Sequence, residues 1–180
     1  MNRINRFYKK IVPAIFILLN VVSCKAQEPT DRAHCQNVSF DKKVAGMIRF
    51  SVPTIDPATA QKMTQVVFLD ARERKEFEVS HLPNARYVGY DAFDEKVLQN
   101  IPKETPLVVY CSIGYRSEKI GEKLLKMGFK NVHNLYGSIF EWVNQGNQVV
   151  DNQGVTTKKV HTYNKKWSKW LDEGKAEKVW

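Results

Sequence analysis

A cysteine and an arginine with four residues between them, Cys111 and Arg116, are the pair in this sequence best placed to do chemistry. Cys111 follows Leu107-Val108-Val109-Tyr110, a short apolar run of the kind that forms a strand buried on both faces. Beyond the loop, Ile120, Leu124 and Met127 recur at spacings of four and three, the stripe of an amphipathic helix. A chain that leaves a strand, turns tightly and enters a helix aims backbone N–H groups into the turn, where the helix dipole is positive. A thiol held there is expected as a thiolate at neutral pH, and so as a nucleophile. Gly114 suits a tight curl, and Arg116 adds a permanent charge with a planar fork of donors.

The loop resembles the anion cradle of tyrosine phosphatases, but those enzymes place five residues between cysteine and arginine and so enclose a tetrahedral phosphate. Here the loop is one residue shorter, and Tyr110 stands where they usually carry histidine. A loop of this size better encloses one extra sulfur on Cys111, a persulfide. On these residues the sequence resembles the rhodanese domain, the sulfurtransferase family. Three further stretches carry the resemblance in consistent order. Val66 to Arg72 resembles a family strand ending in Asp-x-Arg, followed by the matching Glu76-Phe77. Ser80-His81-Leu82-Pro83-Asn84-Ala85 resembles Gly-His-Ile-x-Gly-Ala, with Ser80 and Asn84 standing for glycines. Val132 to Trp142 resembles the last strand and the Gly-Gly-Ile-x-x-Trp helix start, with Ser138 for the second glycine. The match runs from about Pro53 to Val150.

The resemblance implies an α/β fold: a central parallel sheet of about five strands with helices on both faces. It implies an enzyme that takes sulfane sulfur from a thiosulfate-like or persulfide donor onto Cys111. The sulfur then passes to a thiol or cyanide-like nucleophile. The alternative is a persulfide-binding or sulfur-relay module acting with a partner protein, and a phosphatase ranks third because of loop length. Cys111 and Arg116 are then the expected catalytic residues. Backbone amides of Ser112, Ile113, Gly114, Tyr115 and Arg116 should hold the outer sulfur, with Ser117 beside the thiolate or capping the helix. Arg116 has two readings, holding the donor's anionic group or pairing with an acid to brace the loop. Arg72 is expected at the mouth, drawing in anions. Asp70 and His81 are expected to be structural, Asp70 orienting Arg116 or loop amides and His81 fixing a turn. No cofactor is implied, and three cysteines at these spacings do not make a zinc site.

The elements that must position these residues alternate along the chain. Strands are expected at Thr54-Ile55, Val66–Leu69, Tyr87–Tyr90, Leu107–Tyr110 and Asn131–Leu135. Helices are expected after Asn37, after Asp56-Pro57 as cap and first residue, and over Glu73–Val79, Phe93–Gln99, the stretch beyond Ser117, and Ser138–Asn144. Such alternation implies a parallel sheet covered on both faces, with ligands beyond the carboxyl ends of the strands. Asp70 and Cys111 both fall at such ends.

The flanks read differently. Arg3, Arg6, Lys9 and Lys10 precede an apolar run over Ile11–Val22, too short to span a membrane and typical of a secretory leader. It ends at Val21-Val22-Ser23-Cys24, which resembles the lipobox of bacterial lipoproteins. Residues 1–23 are therefore expected to be cleaved and Cys24 lipidated, anchoring the protein in the cell envelope. Residues 24–36 read as a polar tether containing Cys35, an incidental cysteine on this reading; the competing one makes it a resolving thiol for Cys111. The domain proper is expected over 37–150, followed by a basic, aromatic extension over 151–180. There, Asn164 could cap a helix carrying Trp167, Trp170 and Leu171 on one face, with packing on the domain favoured over a membrane interface. The chain carries 28 basic and 19 acidic residues, a net charge of +9. Without the leader the balance is 24 to 19, and within 37–150 it is 15 to 13. That excess is too small and dispersed for nucleic acid. The expected partners are a small sulfur-donor anion, a thiol acceptor and the membrane, with the protein acting as a monomer.

Overall fold

The computed structural model describes residues 28–180, so the leader over 1–23 and the lipidation reading of Cys24 lie outside the described residues. Five short strands make one parallel sheet: β1 (Thr54–Ile55), β2 (Val67–Asp70), β3 (Arg86–Tyr87), β4 (Leu107–Tyr110) and β5 (Val132–Leu135). Their spatial order is β1-β5-β4-β2-β3. β4 is central and all its residues are buried, as its unbroken apolar composition requires. Its side chains alternate between two cores. Leu107 and Val109 meet Leu69, Ile120, Leu124 and Phe129 on one face. Val108 and Tyr110 meet Leu135, Ile139, Phe140 and Trp142 on the other. This is the α/β architecture expected from the sequence.

Five α-helices flank the sheet: α1 (Val38–Ala45), α2 (Pro57–Lys62), α3 (Arg74–Val79), α4 (Tyr115–Lys126) and α5 (Ser138–Asn144). Asn37 caps α1 by accepting from the N–H groups of Ser39 and Phe40, and Asp56 caps α2 by accepting from Thr59 N–H. α4 buries Ile120 and Leu124 on the sheet. Asp70 lies opposite Tyr110 and Val109 opposite Asn134. The ends of β2, β4 and β5 thus bring Asp70, Cys111 and Asn134 to one edge of the sheet, the binding edge of open parallel sheets.

Three expectations about segments before residue 150 need correction. The strand read over Tyr87–Tyr90 ends at Tyr87, because the N–H groups of Val88 and Gly89 both turn onto the carbonyl of Asp70. The helix read over Phe93–Gln99 is a 3-10 turn, Glu95–Leu98. The stretch over 24–36 is no free tether in its described part. The Arg32 guanidinium donates to both oxygens of Asp41, at 3.0 and 2.6 Å, and to Tyr136 Oη at 2.7 Å. Gln36 N–H donates to Glu141 Oε1 at 2.9 Å. Cys35 sits in the core, so close to Gly137 that a Cβ there would lie 2.7 Å from its Sγ.

The extension past residue 150 folds back onto the domain. β6 (Val149–Val150) pairs with β7 (Thr156–Thr157), and β8 (Lys159–His161) pairs with β9 (Glu177–Val179). The helix expected after Asn164 is a 3-10 turn, Ser168–Trp170, whose approach Asn164 still caps by accepting from Trp167 N–H at 3.2 Å. Val160 and Leu171 are buried, and Trp170 stacks on Phe40 with ring centroids 5.5 Å apart. Asn144 clamps this turn from α5, donating to Trp170 O at 3.0 Å and accepting from Asp172 N–H at 2.9 Å. Among the described residues no helix is long and apolar enough to cross a membrane.

Candidate active site

Between β4 and α4 the chain wraps around the Cys111 thiol. Gly114 has φ +129° and ψ −15°, a region that side chains other than hydrogen rarely allow, and its N–H donates to Cys111 Sγ at 3.1 Å. Ser117 lies in the first turn of α4, where N–H groups lack helical partners. Its hydroxyl lies 3.6 Å from Sγ and donates to Asn134 Oδ1 at 2.7 Å. Asn134 in turn donates from Nδ2 to Gly114 O at 3.0 Å, so β5 pins both ends of the turn. Cys111 N–H donates to Ser138 Oγ at 3.0 Å. Burial pushes the Cys111 thiol up, but the Arg116 charge and the polar groups at the start of α4, with Gly114 N–H donating at 3.1 Å, outweigh it. The net position lies below the ordinary thiol range, which favours the thiolate.

Arg116 turns its fork onto a carboxylate. Nη1 and Nη2 donate to Glu76 Oε2 and Oε1 at 2.6 and 2.8 Å, and Nη2 also donates to Ser112 Oγ at 3.0 Å. Ser112 Oγ donates to Glu76 Oε1 at 3.0 Å, closing a three-residue network. Burial raises the Glu76 carboxyl, but the Arg116 hydrogen bonds and charge dominate and hold it at about 2. Of the two readings of Arg116, this geometry carries the brace.

Arg72 does not line the mouth. It is fully buried, with Nε and Nη2 on the Asp70 carboxylate at 3.0 and 2.7 Å and Nη2 also on Ser80 O at 2.6 Å. Asp70 is thereby structural, but it orients Arg72 rather than Arg116 or loop amides. The grip on Ser80 O closes the segment that carries α3, and α3 delivers Glu76 to the loop. His81 fixes the following turn, with Nδ1 3.0 Å from Phe77 O and its ring stacked on Phe77 at 3.9 Å between centroids. Its N–H and C=O also pair with Val150.

Cys111, 1 % exposed, lies at the base of a pocket of about 410 Å³. Ser112, Ile113, Tyr115 and Arg116 line it with Cys111, whereas Gly114 and Ser117, expected beside them, are not among its lining residues. Glu76, Asn134, Ser138, Tyr163 and Trp167 belong to the site and were not singled out for it in the sequence. Glu76 had a signal, its place in the Glu-Phe match; Tyr163 and Trp167 had none. Among the described residues no cluster of His, Cys, Asp or Glu is arranged to hold a metal ion.

Comparison with known proteins agrees with this geometry. The rhodanese-like domain model matches residues 56–145, half of the chain. Among characterised proteins, the tRNA uridine(34) hydroxylase of Hamiltonella defensa is 39% identical over 87 residues, 46% of this chain and 24% of that protein. The tRNA uridine(34) hydroxylase of Pectobacterium carotovorum is 37% identical over 84 residues, 44% of this chain and again 24% of the relative. The chain therefore spans about a quarter of the length of these relatives. Among solved structures, a thiosulfate sulfurtransferase from Pseudomonas aeruginosa superposes with TM-score 0.52 at 23% identity, over 57% of this chain and 21% of that one. The rhodanese-like domain of an Anabaena protein gives TM-score 0.51 at 18% identity, over 55% and 79%. These two show a shared fold. The loop around Cys111, the sheet that carries it and the matched segment coincide, and the chain belongs to the rhodanese-like domain family.

Proposed function

We propose that this protein is a sulfurtransferase whose Cys111 carries sulfane sulfur as a persulfide. The observation that supports this most is a buried thiol that accepts from Gly114 N–H at 3.1 Å and is shifted below its ordinary value beside the Arg116 charge, opening onto a pocket. In the first half-reaction the thiolate attacks the outer sulfur of the donor. The new S–S bond forms on Cys111, the donor's own S–S bond breaks, and the leaving thiolate or sulfite takes the electron pair. In the second, an acceptor nucleophile takes that outer sulfur and Cys111 leaves as thiolate. The downward shift of the Cys111 thiol favours the attacking thiolate and lessens the need for a general base in the first step.

The relatives named for tRNA uridine hydroxylation share only this domain with the chain. The acids Glu73 and Asp91 at its pocket oppose a polyanionic RNA at this site. A relay role, with a partner protein as acceptor, keeps the same Cys111 chemistry and differs only in the second half-reaction. The anchor belongs to the same proposal: acylation at Cys24 would hold the site in the cell envelope. Replacing Cys24 with serine should release the protein from the detergent phase, and unchanged partitioning would remove the anchor. For the activity, thiocyanate formation from a sulfane-sulfur donor and cyanide should vanish in Cys111→Ser. Aryl phosphate hydrolysis that depends on Cys111 and outpaces sulfur transfer would overturn the reading.

A further inference from the structure

The pocket above Cys111 is built from two parts of the chain. The domain supplies Ile113, Tyr115 and Tyr90, and the extension past residue 150 supplies Tyr163 and Trp167, with Met47 closing the side. Tyr163 is held in the left-handed region, φ +66°, a conformation unfavourable for an aromatic residue. Two contacts impose it: Tyr163 N–H donates to His161 Nδ1 at 3.0 Å, and Thr162 N–H donates to Val179 O at 2.7 Å. The result is a half-exposed ring 5.4 Å from the Arg116 guanidinium.

The charges at the pocket run against a small dianion. Among the described residues that line it, Arg116 is the single cation, and its fork is already occupied by Glu76. Glu73 stands 3.8 Å from the same guanidinium, and Asp91 is exposed at the rim. A thiosulfate dianion would meet two carboxylates for one neutralised arginine. An uncharged apolar body would meet four aromatic rings and two aliphatic side chains.

We propose that the Tyr163–Trp167 wall selects an organic sulfane-sulfur donor, with an apolar or aromatic body, over inorganic thiosulfate. This rests on the sulfurtransferase reading of Cys111. With an organic persulfide, RS–SH and the Cys111 thiolate give Cys111–S–SH and RS⁻. With an organic thiosulfonate, the persulfide anion forms and the sulfinate RSO₂⁻ leaves with the bonding pair.

Three donors separate size from charge: benzenethiosulfonate and methanethiosulfonate are both monoanions, and thiosulfate is a dianion. Sulfur loading of the full chain, followed by thiocyanate release to cyanide, gives kcat/KM for each. The expected order is benzene- over methanethiosulfonate over thiosulfate, with at least about a tenfold gap between the two ends. Tyr163→Gly removes the ring at a position whose backbone suits glycine, and Trp167→Ala removes the second wall. Each should shrink the benzene-to-methane ratio several-fold, whereas Tyr163→Phe should keep it. Asp91→Asn should raise the use of thiosulfate relative to methanethiosulfonate. Equal use of the two thiosulfonates by the wild type, or a ratio untouched by both wall variants, overturns the inference and leaves sulfur transfer standing. Failure of every donor to load Cys111 removes sulfur transfer itself, and the wall's selectivity with it.

Discussion

The Cys111 thiol sits between two opposed influences, burial that raises it and a cation with directed donors that lower it. Arg116 and Glu76 act on it with opposite signs, which makes them separable. In Arg116→Gln the cation is gone, so the inflection in iodoacetamide alkylation of Cys111 against pH should move up. In Glu76→Gln a negative charge is gone, so the inflection should move down. Both variants should lose stability, by about 3–5 kcal/mol, since each strands a buried charge without its partner. Peptide mapping assigns the alkylated thiol, and Cys35 should stay unmodified because burial and the nearby Glu141 and Asp41 push it far up. Inflections that shift together would show that loop collapse, not charge, governs the thiol. The sequence reached Cys111 and Arg116 through their spacing. It misplaced Arg72 because an arginine two residues past a strand end reads as a rim residue, whereas here it curls back onto Asp70. Glu76 went unassigned because nothing local shows that a short helix turns one acid toward a loop 40 residues away.

The turn from β4 into α4 depends on backbone shape as much as on side chains. Gly114 has φ +129°, although a Cβ there would find its nearest neighbour at an ordinary 3.6 Å. The glycine is therefore required by conformation rather than by space. Gly114→Ala should cost about 1–3 kcal/mol and slow Cys111 alkylation by displacing the donating N–H. A melting temperature and alkylation rate equal to wild type would mean that the turn tolerates a side chain. Elements with a strong period were legible, β4 and α4, as was the cap at Asp56. The 3-10 turns at Glu95–Leu98 and Ser168–Trp170 and the end of β3 were not, because so few positions show no period. The left-handed Tyr163 belongs to that group, since no residue type there announces positive φ.

At the scale of the molecule, the folded unit is larger than the 37–150 span legible in the sequence. Its additions bury Cys35 from the N-terminal stretch and Val160 and Leu171 from the extension in one and the same core. Removing 151–180 should cost about 3–6 kcal/mol for the two aliphatic side chains alone, and it opens one wall of the pocket. A truncated protein that melts with the full chain would return the boundary to residue 150. The whole molecule should also be acid-sensitive in a defined window. Asp41 and Glu76 are both held at about 2 by arginine partners. Their stabilisation is complete above the unfolded carboxylate range and is lost as pH falls through it toward 2, about 3 kcal/mol for Glu76. Urea midpoints should therefore fall from about pH 4.5 downward, and Glu76→Gln should flatten part of that slope.

The central claim is that Cys111 carries sulfur, and intact mass tests it most directly. After exposure to methanethiosulfonate and removal of excess donor, the wild type should gain the mass of one sulfur atom, mapped to Cys111. Cyanide should remove it with release of thiocyanate, and Cys111→Ser should gain nothing. A wild-type protein that gains no sulfur, or a Cys111→Ser protein that gains it equally, contradicts the account.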